Sequence, residues 1–397
     1  MSKPNLPKHL RHLYSPNLAA RLIELRQDLH RHPELSLKEE RTAQKLYEHL
    51  AALNPKELTK VAGTGVVARI AGKDPAAPVI ALRGDIDALP IQEKTGLPFA
   101  SENEGVMHAC GHDVHATWTV AAAHLLAENP AEGDVLILLQ PAEEVAGGAR
   151  AVLASGALSE ASAIFGGHVD RRFAVGQVVA QEGPLAASSD VFEIELKGRG
   201  AHGARPHESA DPIVCAAAVV SSLQTVVSRR LNPAYPGVVT IGTIHAGTAP
   251  NIIPETARLT GTIRAIDAET RVLLISEVKR IAETQAHVFG LTARVSAGDG
   301  IPPIVNPAGP VAIARRAVTA AVGEDALVPL GFLNMGGEDF ACYMESLPGC
   351  FMRIGAREAG GEVIPAHSPH FYAAEETIFV GGAVLAECAR VAAGELQ

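Results

Sequence analysis

Apolar and polar positions follow two different patterns along the chain, and the pattern changes near residue 185. Before that point, stretches with helical periodicity alternate with short runs that are apolar at nearly every position. These runs read TGVVARIAG, PVIALRGDIDALP, GDVLILLQPAEE and ASAIFGGHVD. Strands of this kind, alternating with helices, are typical of an α/β sheet covered on both faces. The periodicity predicts helices within 17–52 and at 115–128, 146–156, 308–322 and 374–394.

A helix start is predicted inside the first helical region. Ser36 and Glu39 have the spacing of a capping box, in which a serine caps the first turn and a glutamate reaches back to the cap. We therefore expect Ser36 to be the N-cap residue of a helix.

Beyond residue 185 the strands alternate between apolar and polar positions, as half-exposed strands do. SSDVFEIELKG, GVVTIGTIHAG, ARLTGTIRAI and TARVSAG read as strands, with one helix after the first and another before the last. This βαββαβ order is that of a ferredoxin-like unit. We predict a large α/β domain in two parts, 1–186 and 297–397, interrupted by a small domain at 187–296 that suits dimerisation.

Composition and charge exclude several classes of protein. The 397 residues suffice for two or three domains with full cores. A net charge of −10 without a basic run disfavours nucleic-acid binding. Apolar runs are expected to be too short to span a membrane. Five scattered cysteines argue against a disulfide framework, so we expect a cytoplasmic protein.

The most reactive stretch is HACGHDVH, residues 108–115, directly ahead of a helical run. Cys110 and His112 stand two apart around Gly111, and on an irregular turn both can face one cation. From these residues alone three interpretations stay open: a metal site, a nucleophilic cysteine with a histidine base, and a polar turn.

Four further clusters carry residues that bind metals or move protons. Adjacent carboxylates follow a buried strand in LLQPAEE, where one can bind metal while the other moves a proton. The other clusters are LRGDIDALP, FGGHVD and PAHSPHF, and most of the four follow strands, where α/β sheets collect functional groups. The candidate residues are Asp85, Asp87, Glu143, Glu144, His168, His367 and His370. Together the clusters predict a two-metal hydrolase.

Ten segments, taken in their order along the chain, resemble the motifs of a known protein family. They are RQDLHRHPELSLKEERTA, RGDIDALPI, HACGHDVH, QPAEE, GHV, GRGAHGARPHESADPI, APNIIPE, GTIR, MGGEDFACY and AHSPHF. Across nearly the whole chain they resemble the aminoacylase metallopeptidase family, in the branch of hippurate hydrolases, N-acyl-amino-acid amidohydrolases and auxin-conjugate hydrolases. The resemblance implies a zinc-peptidase-like catalytic domain with an inserted lid or dimerisation domain.

The resemblance also implies a role for each matching residue. Glu143 would be the general base for a metal-activated water, and Asp87 would support the site. His202 would stabilise the oxyanion, reaching a neighbouring subunit's active site, while Asn251 and Arg264 would bind the substrate's carboxylate. His370 is not expected to bind metal. Two divalent ions, zinc or manganese, with cobalt or nickel also suitable, would be held by Cys110, His112, Glu144, His168 and His367, with Cys110 as the bridge.

The expected activity is hydrolysis of N-acyl amino acids, hippurate-like or N-acetyl, to a carboxylic acid and a free amino acid. The alternatives are a metal-dependent dipeptidase or carboxypeptidase of the same fold and a non-catalytic metal-binding protein. The expected assembly is a homodimer or a higher oligomer. Two departures from the family concern the site: DRRFAVG follows His168 where a proline-containing loop is usual, and Gly337 stands where serine is common.

Overall fold

The computed structural model describes residues 7–396, so residues 1–6 and 397 of the predicted catalytic segments lie outside the described part. The helices are α1 Pro16–Arg31, α2 Glu40–Ala51, α3 His112–Glu128, α4 Gly148–Ala154, α5 Pro212–Thr225, α6 Ala268–Val288, α7 Ala308–Val322, α8 Ala341–Met344 and α9 Glu376–Glu395. The strands are β1 Glu57–Val61, β2 Gly65–Ile70, β3 Val79–Asp85, β4 Val135–Gln140, β5 Ala161–Ala174, β6 Val178–Val179, β7 Gly183–Ala186, β8 Asp190–Lys197, β9 Ala201–His202, β10 Gly237–Ala246, β11 Ile252–Ile253, β12 Thr256–Ala265, β13 Thr292–Ala297, β14 Ile304–Asn306 and β15 Gly349–Arg357.

The chain divides into two compact units. Unit 1 comprises Met1–Gly183, Asn306–Phe332 and Cys342–Gln397, and unit 2 comprises Pro184–Val305 and Leu333–Ala341. The sequence analysis placed 333–341 in the second catalytic segment. This stretch joins unit 2 because Ala187 donates its N–H to Gly336 O at 3.0 Å.

Unit 1 is built on a mixed seven-stranded sheet in the order β1-β2-β4-β3-β5-β15-β6. Its four central strands, β4, β3, β5 and β15, run parallel. Every residue of β3 and β4 is buried, which explains their continuous apolar patterns. Helices α3 and α9 pack against each other and against this sheet, and both are buried on nearly all sides. The predicted α/β class is confirmed.

Unit 2 contains a four-stranded antiparallel sheet in the order β10-β12-β8-β13. With α5 after β8 and α6 after β12, the chain follows the predicted βαββαβ order, and this strand order is ferredoxin-like. Both helices begin at an aspartate cap, Asp211 and Asp267, whose carboxylates accept backbone N–H groups of the first turn.

The capping-box prediction is wrong. Helix α2 begins at Glu40, and Glu39 occupies the cap position without a side-chain cap bond. The side chains of Ser36 and Glu39 instead reach other parts of unit 1, where Ser36 donates to Asp87 and Glu39 accepts from Thr64. A capping box needs both side chains for the helix, and here tertiary partners take them.

The segment after His168 also differs from expectation. The sequence pattern predicted a short strand at ASAIFGGHVD, with His168 near its end, and the family resemblance implied a loop at DRRFAVG. Strand β5 continues to Ala174, because β15 pairs with it in parallel register from Gly349 as far as Arg357. His168 thus lies within a strand.

The expectation that no apolar segment could span a membrane is wrong by length and composition alone. Within residues 7–396, two helical segments, Pro212–Arg230 and Glu376–Glu395, are long and apolar enough to meet that criterion. The second is 78 % buried within the protein, as a core helix is. Two such helices are weak support for a membrane association.

Candidate metal and active site

The site of unit 1 forms where its central parallel strands end. Asp85 is the last residue of β3 and lies beside Gln140, the last residue of β4. The segments that follow carry Asp87 and the pair Glu143 and Glu144. Parallel neighbours end at one edge of the sheet, which is why residues far apart in sequence meet here.

The turn before α3 brings Cys110 and His112 to the same side. Gly111 forms the N-cap with φ 92°, a left-handed conformation that favours glycine. A Cβ at this position would lie 2.5 Å from the Val169 side chain. The Cys110 Sγ, a His112 ring nitrogen and a His168 ring nitrogen lie within 4.8 Å of one another, and all three residues are buried.

A second group shares the same cysteine. Ligand atoms of Cys110, Glu144 and His367 also lie within 4.8 Å of one another. His367 Nε2 is 3.4 Å from Glu144 Oε1, and the His367 backbone N–H donates to Ala109 O at 2.8 Å. The His367 side chain is 53 % exposed, so this side of the site opens to solvent in unit 1.

Hydrogen bonds fix which ring nitrogens face the cluster. His112 Nδ1 is 3.1 Å from Asp87 Oδ1, and His168 Nδ1 donates to the Val169 carbonyl at 2.7 Å. Each ring is thereby oriented with Nε2 as the remaining ligand atom. Among the described residues, the buried His112 Nε2 and Glu144 Oε1 have no hydrogen-bond partner. The cluster combines a thiol, imidazoles and a carboxylate, and two of its buried ligand atoms have no hydrogen-bond partner within residues 7–396. These properties fit a pair of first-row divalent cations.

Burial and charge set the proton affinities of this cluster. Burial raises the pKa of the Cys110 thiol well above its usual value, and the nearby Glu144 carboxylate adds to the rise. Burial lowers the pKa of His168 well below its ordinary value. For His112 burial is outweighed by Asp85 and Asp87, whose carboxylates hold its pKa well above the ordinary value.

Asp87 connects several parts of the site. One carboxylate oxygen is bonded to His112, while the other accepts the Ser36 hydroxyl at 2.7 Å and the Glu144 backbone N–H at 3.0 Å. Glu143 has a carboxylate oxygen within 4.8 Å of ligand atoms of His112 and Glu144. The structure thus brings together all the unit 1 residues that the sequence singled out, except His370. His370 is exposed and donates to the Lys94 carbonyl at 2.9 Å.

Two supporting networks escaped the sequence analysis. His115 donates Nδ1–H to Asp85 at 2.6 Å and accepts the Val169 N–H on Nε2 at 2.9 Å, so it ties α3 to β3 and β5. Asp113 Oδ2 lies 2.8 Å from both Arg26 Nε and His30 Nδ1. The four-residue spacing of Arg26 and His30 on one face of α1 is the signal that could have indicated the second network.

The remaining candidates belong to unit 2. His202 ends β9 and pairs with Ile252 of β11, directly after Asn251. His202 Nδ1 accepts the Ala204 N–H at 3.1 Å, which leaves the proton of a neutral ring on Nε2. Arg264 lies on β12, partly buried, and donates to the Ile263 carbonyl. His202 and Asn251 are neighbours, whereas Arg264 lies on the four-stranded sheet.

Comparisons with known proteins find relatives that match most of the chain. The sequence model of peptidase family M20/M25/M40 matches residues 81–391. An N-acetylcysteine deacetylase of Bacillus subtilis is 42 % identical, over 93 % of this chain and 96 % of its own. Thermostable carboxypeptidase 1 of Saccharolobus solfataricus is 33 % identical, over 91 % of this chain and 92 % of its own. The crystal structure of the Bacillus subtilis YXEP protein, a dinuclear metal-binding peptidase of the M20 family, is 38 % identical with a TM-score of 0.84, covering 96 % of this chain and 99 % of that one.

Proposed function

The chain belongs to peptidase family M20/M25/M40 and is a hydrolase, and on that premise we propose that it cleaves the amide bond of N-acyl amino acids. The products would be a carboxylic acid and a free amino acid. The observation that carries the proposal is the sharing of Cys110 between two groups of metal-competent side chains. The similarity of this chain to an N-acetylcysteine deacetylase supports N-acyl amino acids as its substrate class.

The proposed cofactor is a pair of divalent ions. One would be held by Cys110, His112 and His168, and the other by Cys110, Glu144 and His367. Zinc and manganese are the first candidates, with cobalt and nickel compatible with the same ligands. When bound, such ions polarise the substrate carbonyl and acidify water.

Glu143 would carry the proton transfers. Its carboxylate would take a proton from the attacking water and later give it to the departing amine, as a general base and then a general acid. Asp87 would keep His112 and the Glu144 backbone in place through the hydrogen bonds described above. Both roles need fixed geometry, which buried hydrogen bonds provide.

The residues of unit 2 would act on the two ends of the substrate. His202, with its proton on Nε2, would donate to the oxyanion that forms at the carbonyl. Asn251 and Arg264 would bind the free carboxylate, for which the arginine fork supplies two donors. We propose that His202 serves the active site of a second copy of the chain.

A second candidate function is supported by the carboxypeptidase relative. The chain would then release a C-terminal amino acid from a short peptide with the same residues. Activity on dipeptides and activity on N-acyl amino acids distinguish the two candidate functions. Only a dipeptide carries a positively charged amine on the acyl side of the amide bond that is cleaved.

The test is a substrate panel run on the purified protein. It contains N-acetylcysteine, N-acetyl-, N-benzoyl- and N-indole-acetyl-amino acids, and matched dipeptides, each assayed as isolated and with EDTA. We expect hydrolysis of at least one N-acyl amino acid that EDTA abolishes. Turnover of dipeptides alone would favour the second candidate, and turnover of nothing in the panel would contradict the proposal.

A further inference from the structure

The segment between α1 and α2, residues 32–39, contacts the stretch that carries Asp87 and, through Glu39, the stretch that carries Glu143. The Glu34 carbonyl accepts the Ala88 N–H at 2.8 Å, and Ser36 donates to Asp87. Glu39, at the end of the segment, is fully buried in unit 1. A buried carboxylate is costly unless hydrogen bonds satisfy it, so its partners show what the residue does.

Both oxygens of Glu39 are engaged. Oε1 accepts the backbone N–H of Ala142 at 2.9 Å, and Oε2 accepts the hydroxyl of Thr64 at 2.6 Å. With each oxygen held by a different chain segment, the carboxylate has a single orientation. Ala142 directly precedes Glu143, so this bond is made one residue before the proposed base.

Ala142 has an uncommon backbone conformation. Its φ is 56°, in the left-handed region that residues with a Cβ rarely occupy. The Ala142 carbonyl accepts the Gly148 N–H at 3.1 Å, closing the loop, and a Cβ on Gly148 would lie only 1.7 Å from the Pro141 carbonyl oxygen. A strained and tightly closed loop keeps its shape only where its surroundings hold it.

Glu143 therefore stands between two anchored residues. On one side the Ala142 N–H is bound by Glu39, and on the other the Glu144 N–H is bound by Asp87. Asp87 is itself hydrogen-bonded to His112, a proposed metal ligand. Within the described part of the chain, Glu39 is hydrogen-bonded to Ala142 and Thr64 and to none of the proposed metal ligands. Loss of the Glu39 carboxylate should therefore displace Glu143 and leave the metal ligands in place.

We propose that Glu39 is a positioning residue that acts through the Ala142 backbone to hold Glu143 in its proton-transfer geometry. The proposal rests on the assignment of Glu143 as general base. Proton transfer requires hydrogen-bond distances, and a displacement of about 1 Å can cost about 100-fold in rate.

The experiment compares Glu39→Ala with Glu39→Gln. Alanine removes the acceptor, and we expect kcat to fall by about 30- to 100-fold while KM changes by less than about 3-fold. Glutamine keeps a carbonyl oxygen for Ala142 and offers an N–H₂ to Thr64, whose hydroxyl can accept it, so kcat should stay within about 3-fold of wild type. Metal content, measured by elemental analysis, should match wild type in both.

Asp134 provides the matched control. It is a buried carboxylate at the opposite end of β4 and accepts the Gly72 backbone N–H at 2.8 Å, together with Lys56 and Arg69. Asp134→Ala should lower the melting temperature and leave kcat within about 2-fold, since it holds a turn away from the base.

Glu143→Gln, run in the same series, separates the two claims. If it is inactive and folded Glu39→Ala has wild-type kcat, only the positioning role is overturned. If it keeps full activity, the base assignment itself fails. Loss of metal in Glu39→Ala would also overturn the proposal. Should Glu39→Ala not fold, Thr64→Val decides: kcat should fall by about 3- to 10-fold with unchanged metal, and an unchanged kcat would contradict the proposal.

Discussion

At the scale of single residues, the three histidines of HACGHDVH differ in what surrounds them. His108 is buried, its two ring nitrogens have no hydrogen-bond partner among the described residues, and burial lowers its pKa to about 4. His112 is oriented by Asp87 with Nε2 toward the cluster, while His115 has both nitrogens occupied by Asp85 and the Val169 backbone. The composition of the stretch suggested a metal site, but only tertiary contacts distinguish a ligand from a support.

Replacing the proposed base tests the chemical assignment directly. Glu143→Gln removes the group that accepts and returns the proton while keeping its size, so we expect kcat to fall by at least about 100-fold. KM and metal content should stay close to wild type. Steady-state kinetics and elemental analysis check both, and a variant that retains full kcat would show that another group moves the proton.

Replacing Asp87 tests the orientation of His112. Asp87→Ala removes the carboxylate that fixes the His112 ring and binds the Glu144 backbone, so metal affinity should fall by about 10- to 100-fold. The measurement is a competition between protein and a chromophoric chelator. Asp134→Ala should leave the affinity unchanged, and an unchanged affinity in Asp87→Ala would contradict the role given to this residue.

At the scale of elements, strand β5 extends past the site because β15 pairs with it as far as Ala174, and the buried Arg171 near its end contacts residues that follow β15. The Arg171 guanidinium stacks over the Tyr372 ring at 4.1 Å and contacts Glu358 at 2.8 Å. Tyr372 also donates to the Glu358 carboxylate. Sequence analysis ended the strand early because its pairing partner, β15, lies more than 150 residues further along the chain.

The contacts of Arg171 and Tyr372 with Glu358 predict a pH-dependent contribution to the free energy of unfolding. Burial alone would raise the pKa of Glu358, but hydrogen bonds from Arg171 and Tyr372 lower it from 4.5 to about 2. A carboxyl with a depressed folded-state pKa stabilises the protein above its unfolded pKa and loses that effect as pH falls toward about 2. Since the side chain is 35 % exposed, solvent screening reduces the expected contribution to about 1 kcal/mol.

The check is urea unfolding of wild type and Glu358→Gln. The variant should be less stable by about 1 kcal/mol at pH 7, and the difference should shrink by pH 3. A difference of equal size at both pH values would mean that Glu358 contributes through packing rather than charge.

At the scale of the whole molecule, the α/β class, the βαββαβ insertion and most residues of the candidate site could be predicted from the sequence. These features depend on local periodicity and on short motifs. The use of Glu39 could not be foreseen, because the Ser36–Glu39 spacing is equally that of a capping box, and only the fold brings Glu39 to Ala142. The continuation of β5 beyond His168 likewise depends on β15.

Self-association is proposed through the β10 side of unit 2. Strand β10 is the longer of the two edge strands of its sheet, and all ten of its residues are at least partly exposed. The apolar segment Pro212–Arg230, which contains α5, is only 33 % buried, with Val214 51 % exposed. Unpaired edges and exposed apolar helices are typical of interfaces.

An aspartate on α5 should therefore weaken the dimer. We expect wild type to contain two chains per particle by light scattering and Val214→Asp to shift toward one. Val288→Asp, on α6 with 68 % exposure, is the matched control and should remain dimeric. A monomeric wild type, or two variants that behave alike, would contradict this interface.

The central claim is a two-cation site organised around Cys110 in an amide hydrolase. Its most direct test is to strip the protein with EDTA and titrate zinc or manganese back while following hydrolysis of the best N-acyl amino acid. We predict that activity is lost on stripping and that full activity returns at two equivalents of metal per chain. Full activity in protein shown by elemental analysis to be free of metal would contradict the account and would favour Cys110 as the nucleophile.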